Sequence, residues 1–188
     1  MARQRTRDPE PFEPDGVDRM LDIWKRELPD LDLATEGIVE RIQKLNKYLA
    51  RAMNETLAEF DLDLGEWWLL GSLRRSGPPY RLSPGQLASN LGLSSGAMTN
   101  RLDRLEEAGL IRRLPDPADR RALQVELTED GWRRWRDSVS VQGRKEALVA
   151  SALDPAEKEQ LNGLLRRLMH QFEAGQADSS AEGPRTAA

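Results

Sequence analysis

The chain has 188 residues, 38% hydrophobic and 32% charged, with 28 Lys and Arg against 32 Asp and Glu for a net charge of −4. That length fits one domain with tails, and the balance fits a helical protein with exposed faces. An overall basic surface is excluded, although a local basic face is not. With no cysteine and a single histidine, His170, the chain cannot form disulfides, thiolate or multi-histidine metal sites, thiol nucleophiles or most histidine relays.

In chain order, residues 1–15 hold three prolines and mixed charge and read as an unstructured arm. The basic start, Arg3 to Arg7, is followed by Asp8-Pro9-Glu10-Pro11 and not by an apolar signal core. No apolar run reaches the roughly 20 residues a membrane helix needs, so a cytoplasmic location is expected. A helix is predicted over 16–27, with Val17, Met20, Leu21 and Trp24 on one stripe. A long helix follows over 33–60, where Ile38, Ile42, Leu45, Leu49, Ala52 and Phe60 step by threes and fours like a seam for another long helix. Asp63 can cap a third helix carrying Trp67, Leu70 and Leu73.

Ser83-Pro84-Gly85-Gln86 is a capping box with proline at the first helical position, and Gly92 can close that short helix in the left-handed conformation. Ser94 caps the next helix, through Met98, Leu102 and Leu105, and Gly109 ends it. Two helices joined by a tight glycine turn form a helix-turn-helix. The period then changes. Residues 110–114 and 122–127 read as two strands around the polar turn 115–121. Thr128 caps a helix with Trp132, Trp135 and Val139, and Asp154-Pro155-Ala156-Glu157 opens a last one with Leu161, Leu164, Leu165, Leu168, Met169 and Phe172 on one face. Residues 174–188 lack periodicity and read as an unstructured tail. The expected fold is mainly α with a small β-hairpin: a winged helix-turn-helix (63–128) flanked by long dimerisation helices (16–60 and 129–173).

Residues 71–127 carry nine Arg and six acids, a net of +3, and the rest carries −7. Positive charge is thus concentrated where a winged unit would meet DNA. On the second helix of the pair, Ser94, Ser95, Gly96, Thr99, Asn100, Asp103 and Arg104 lie outside the Met98-Leu102-Leu105 face. Asn100 can read adenine, and Arg101 or Arg104 can read guanine or hold phosphate. Asp119-Arg120-Arg121 at the hairpin tip can place an arginine in a narrow minor groove, with Asp119 orienting it.

Residues 87–110, with Gly92-Leu93-Ser94-Ser95-Gly96-Ala97-Met98-Thr99 and Arg101-Leu102-Asp103-Arg104-Leu105-Glu106-Glu107-Ala108-Gly109-Leu110, together with Asp116-Pro117-Ala118-Asp119-Arg120-Arg121 and Leu127-Thr128-Glu129-Asp130-Gly131, resemble the MarR family of bacterial regulators. The likeness spans about 34–173. It implies a homodimer built on the first long helix and the last two, binding palindromic promoter sites in double-stranded DNA, usually as a repressor released by a small ligand. It also implies that Arg121 is the minor-groove arginine and Asp119 its support. Trp24, within Trp24-Lys25-Arg26-Glu27-Leu28-Pro29-Asp30, resembles the subgroup with an extra N-terminal helix that responds to urate or aconitate-type acids. That likeness implies an anionic effector met by Trp24 and held by Arg101 and Arg113; beside it, Trp67 and Trp68 can supply further apolar walls to such a ligand site. Where the subgroup has an aspartate after the aromatic of the third helix, this chain has Trp68.

Other classes fit less well. The sequence has no Gly-rich phosphate loop, metal-ligand cluster or nucleophile–base set, and His170 beside Met169 and Phe172 reads as a surface residue, so no enzyme, cofactor or metal is expected. A winged module for protein contacts alone would not need the +3 head or the Asp119-Arg120-Arg121 tip. Salt dependence of duplex binding separates it from a DNA reader.

Overall fold

Side-chain oxygens start every helix. The structure, a computed structural model, describes residues 13–116, 119 and 122–181, with side chains described as far as 173. Asp15 and Asp18 form a reciprocal capping box for α1 (Gly16–Glu27), and Asp32 caps α2 (Leu33–Glu59). Asp63 with Glu66 caps α3 (Leu64–Arg75), and Ser83 with Gln86 caps α4 (Pro84–Leu91). Ser94 caps α5 (Ser95–Glu107), Thr128 caps α6 (Glu129–Val149), and Asp154 accepts from the Ala156 and Glu157 amides at the start of α7 (Pro155–Ala181). Each such bond satisfies an amide that would otherwise lack a partner in the first turn.

Two of these positions differ from the sequence expectation. Asp15, placed in an unstructured arm, belongs to the fold: besides capping α1 it accepts from Arg41 of α2 at 2.9 Å. At the other end, residues 174–181 continue α7. Their alanines and glutamine need no apolar stripe to propagate a helix already nucleated upstream.

Gly92 turns between α4 and α5 at φ 62°, and the Leu93 amide closes onto the Ala88 carbonyl at 2.9 Å. The sequence pattern predicts two strands, and the described residues form three. β2 (Ile111–Pro115) and β3 (Leu123–Leu127) form the expected hairpin, and β1 (Arg81–Leu82) adds to its free edge in the order β1-β3-β2, all antiparallel. Two residues are too few for alternation to announce a strand.

The core joins Leu57 of α2, Leu69, Leu70 and Leu73 of α3, Leu87 of α4, Met98, Leu102 and Leu105 of α5, and Ile111, Val125 and Leu127 of the sheet. It fixes the helix-turn-helix to the start of the wing. Polar contacts tie the long helices to each other and to this head. Thr56 and Gln142, both buried, meet at 3.0 Å between α2 and α6, and the Trp67 indole donates to Ser138 at 3.0 Å between α3 and α6. Gly131 is required at the base of α6, because a Cβ there would fall inside the Leu110 carbonyl. By contrast α7 makes no extensive packing against another described element. Its Leu161, Leu164, Leu165, Leu168, Met169 and Phe172 are exposed, as are Ile38, Ile42 and Leu45 of α2.

Candidate nucleic-acid interface

One face of α5 stands clear of the core. Met98, Leu102 and Leu105 are buried, while Ser94, Ser95, Gly96, Thr99, Asn100, Asp103 and Arg104 are exposed. The burial of one face follows from the spacing, and the opposite face carries short polar groups that a duplex groove could approach. The Ser94 hydroxyl accepts the Ala97 amide at 3.4 Å, and the Thr99 hydroxyl donates to the Ser95 carbonyl at 3.0 Å. Asn100 is exposed beside them.

The arginines divide between two flanks of α5. Arg101 and Arg104 face α3: Arg101 Nε lies 3.8 Å from Asp63, and Arg104 lies 3.6 Å from Asp63 and 3.2 Å from Glu66. The Arg101 guanidinium rests on Gly65, where any Cβ would overlap it. Glu66 is 2% exposed, and its other oxygen accepts the Asp63 amide at 2.8 Å, so the capping box of α3 doubles as an anchor for the recognition helix. Arg113 lies on the opposite flank. It is bonded to Asp103 at 2.6 Å and Glu106 at 2.8 Å, with the Thr99 carbonyl at 3.5 Å. Its own amide donates to Glu106 at 2.7 Å.

The preceding residue of β2 points the other way, as strand geometry demands. Arg112 bonds Glu126 of β3, and Arg81 of β1 reaches the same carboxylate at 3.1 Å. All three strands pair at this level, with Arg81 and Arg112 each opposite Glu126. The Arg112 hydrogen bond holds the Glu126 carboxyl below the usual carboxylate range, against the opposing effect of burial, with Arg81 assisting. Nearer the turn, Asp116 accepts from Gln124 across the hairpin, and the Asp119 carbonyl accepts the Ala122 amide at 2.8 Å. Arg120 and Arg121 lie outside the described residues.

The residues expected to hold an effector are not all brought together. Trp68 is 43% exposed and meets Trp67 edge-on at 4.9 Å. It follows Gly65 by three residues and so shares a helix face with the seat of Arg101. Trp24 is half-buried on α1, which packs on α2. Arg113 is turned to the far flank of α5 by its two carboxylates. Trp67, an expected wall, is drawn instead into contact with Trp135 and Ser138. Two open clefts adjoin at Ala108 and Leu110. One, of about 240 Å³, is lined by Asp61, Glu66 and Arg104, and the other, of about 380 Å³, by Phe60, Arg133 and Arg134. Neither is lined by Trp24, Trp68, Arg101 or Arg113. Among the described residues no helix is long and apolar enough to cross a membrane, and no group of acids and histidine could hold a metal ion.

Sequence reasoning missed Glu126, Asp63, Glu66 and Glu106 as partners of these arginines. The polar position of Glu126 within an alternating strand was a visible signal of an outward face. The residues meeting it come from two other strands.

The MarR family profile matches residues 60–122. The HTH-type transcriptional regulator PecS of Dickeya dadantii is 32% identical over 152 residues, covering 81% of this chain and 92% of that protein. The transcriptional repressor MprA of Escherichia coli is 30% identical over 138 residues, 73% of each chain. Among solved structures, a mutant MarR of Escherichia coli complexed with operator DNA superposes with a TM-score of 0.56 at 26% identity, covering 78% of this chain and 98% of that one.

Proposed function

The chain belongs to the MarR family of DNA-binding transcriptional regulators, and on that premise we propose that it works as a homodimeric repressor at palindromic promoter sites, released by a small anionic ligand. The observation carrying this reading is the polar, exposed face of α5 on a head whose opposite face is buried in the core. Ser94, Ser95, Thr99, Asn100, Arg101 and Arg104 would face the major groove, and Asp119, Arg120 and Arg121 the minor groove. Arg101 and Arg104 would have to share their charge between phosphate and the carboxylates of Asp63 and Glu66. The exposed apolar stripes of α2 and α7 supply the surface that a second copy would cover. The domain plan that goes with this reading assigns 16–60 and 129–173 to dimerisation and 63–128 to DNA.

Two recognition helices must stand about 34–36 Å apart to meet successive major grooves. A ligand preferring another spacing lowers DNA affinity by its differential affinity for the two states. Trp68 of α3 and Arg101 of α5, whose guanidinium rests on Gly65 three residues before Trp68, are the pair that favours an aromatic anion; Trp24 would join them from α1.

Fluorescence anisotropy with duplex from the promoter region beside the gene, at two salt concentrations, tests the reading. We expect tight binding that weakens steeply with salt, as counterions released from phosphate require. The Arg121→Ala variant should bind less well, and urate, citrate or aconitate added to the complex should release the duplex. Binding no tighter than to scrambled duplex, with no salt dependence, would sink the DNA reading and favour a module for protein contacts.

A further inference from the structure

Arg112 and Arg113 are adjacent, yet each joins β2 to a different part of the head. Arg112 ties it to β3 through Glu126, and Arg113 ties it to α5 through Asp103 and Glu106. The Arg113 link uses both ends of the residue: the guanidinium bonds two carboxylates, and the backbone amide bonds a third oxygen, on Glu106. Its side chain is 22% exposed. A fork-shaped donor held at several points fixes orientation as well as distance.

We propose that Arg113 is a positioning residue for DNA binding: with Asp103 and Glu106 it clamps the wing to the recognition helix, so that major-groove and minor-groove contacts are made in one fixed relation. The proposal rests on the DNA-binding reading above and assigns Arg113 a role other than effector binding. The physical gain is that of linked contacts. Once α5 is seated, a wing held at the correct angle meets its groove at a high effective concentration, and a loose wing does not. Arg113 also neutralises two carboxylates that would otherwise face the phosphates. An anion could take Arg113 only by displacing Asp103 or Glu106, and that would free the wing.

Charge alone and the clamp predict opposite signs for one variant. Replacing both Asp103 and Glu106 by alanine removes two negative charges from the DNA-facing head, so electrostatics alone would tighten binding. The clamp predicts weaker binding, by about tenfold, through loss of the linked wing contact. The probe is a duplex enriched by the wild-type protein from a random-sequence pool, used at fixed salt. Hydroxyl-radical footprints should lose protection where the wing lies and keep it under α5, for this double variant and for Arg113→Met. Arg113→Lys, which keeps one ion pair, should restore part of it. In the DNA-free protein, hydrogen exchange at the Arg113 amide should quicken in the double variant while the core amides of Leu69 and Leu102 stay slow, which separates a loose wing from an unfolded head. Tighter binding, or a footprint that weakens evenly, overturns the clamp while leaving the DNA reading standing. If the wild type enriches no duplex, the DNA reading fails, and this proposal falls with it.

Discussion

Two glycines show how the neighbour decides the cost of a side chain. At Gly131 an added Cβ would meet the Leu110 carbonyl, and backbone there cannot withdraw because the same oxygen accepts the Thr128 amide at 3.2 Å. Gly131→Ala should cost about 1–3 kcal/mol of unfolding free energy, the range for forced overpacking, readable in urea titration. At Gly65 the added atom would meet only the end of the Arg101 side chain. Gly65→Ala should melt near the wild type, with Arg101 turned outward and the Asp63 contact gone. Asp15 offers a titration at the same scale. Hydrogen bonds from Arg41 and from the Asp18 and Val17 amides, with the charge of Arg41, lower its pKa from 3.8 to about 2. A group depressed on folding contributes stability above its unfolded value and loses it as pH falls through the folded one. The α1–α2 attachment should therefore weaken between pH 3.8 and about 2. The Val17 amide shift in NMR should follow that titration, and in Arg41→Gln its midpoint should move up toward 3.8.

At the level of elements, the helix starts at Asp63, Ser83, Ser94, Thr128 and Asp154 were legible because capping is local chemistry. Ser83 with Gln86 is three residues of sequence and one turn of structure, and Ser83→Ala should cost about 1 kcal/mol in the same urea titration. Gly92 and Thr128 were readable for the same reason, and the helix-turn-helix followed from them. The hairpin was visible in its alternation, but β1 was hidden because its two residues become a strand only through β3. The arginine partners were hidden for a related cause. Arg113 and Glu106 are seven residues apart, across a helix end, a glycine turn and a strand start, and their meeting depends on how α5 packs on the sheet. The α5 face exposed for contact was predictable from the Met98-Leu102-Leu105 spacing. Which of its arginines already had carboxylates to answer was not.

Across the whole molecule, α2 and α7 carry rows of apolar side chains that the described elements leave uncovered. Single large exposed side chains are common on monomers, but a row on one helix face is not. Under the proposed homodimer, Leu164→Glu with Leu168→Glu should yield monomers in sedimentation, with α7 frayed, and thermal stability of the wild type should rise with concentration. The joint at Gly131 bears on how such an assembly would act on its heads. There the first turn of α6 lies directly on the backbone that leaves α5, with no side chain between them to yield. A tilt of α6 at that joint would press on the Leu110 backbone, so the long helix would act as a lever whose short arm is the recognition helix. Small rotations far from the duplex would then be read at the groove as displacement.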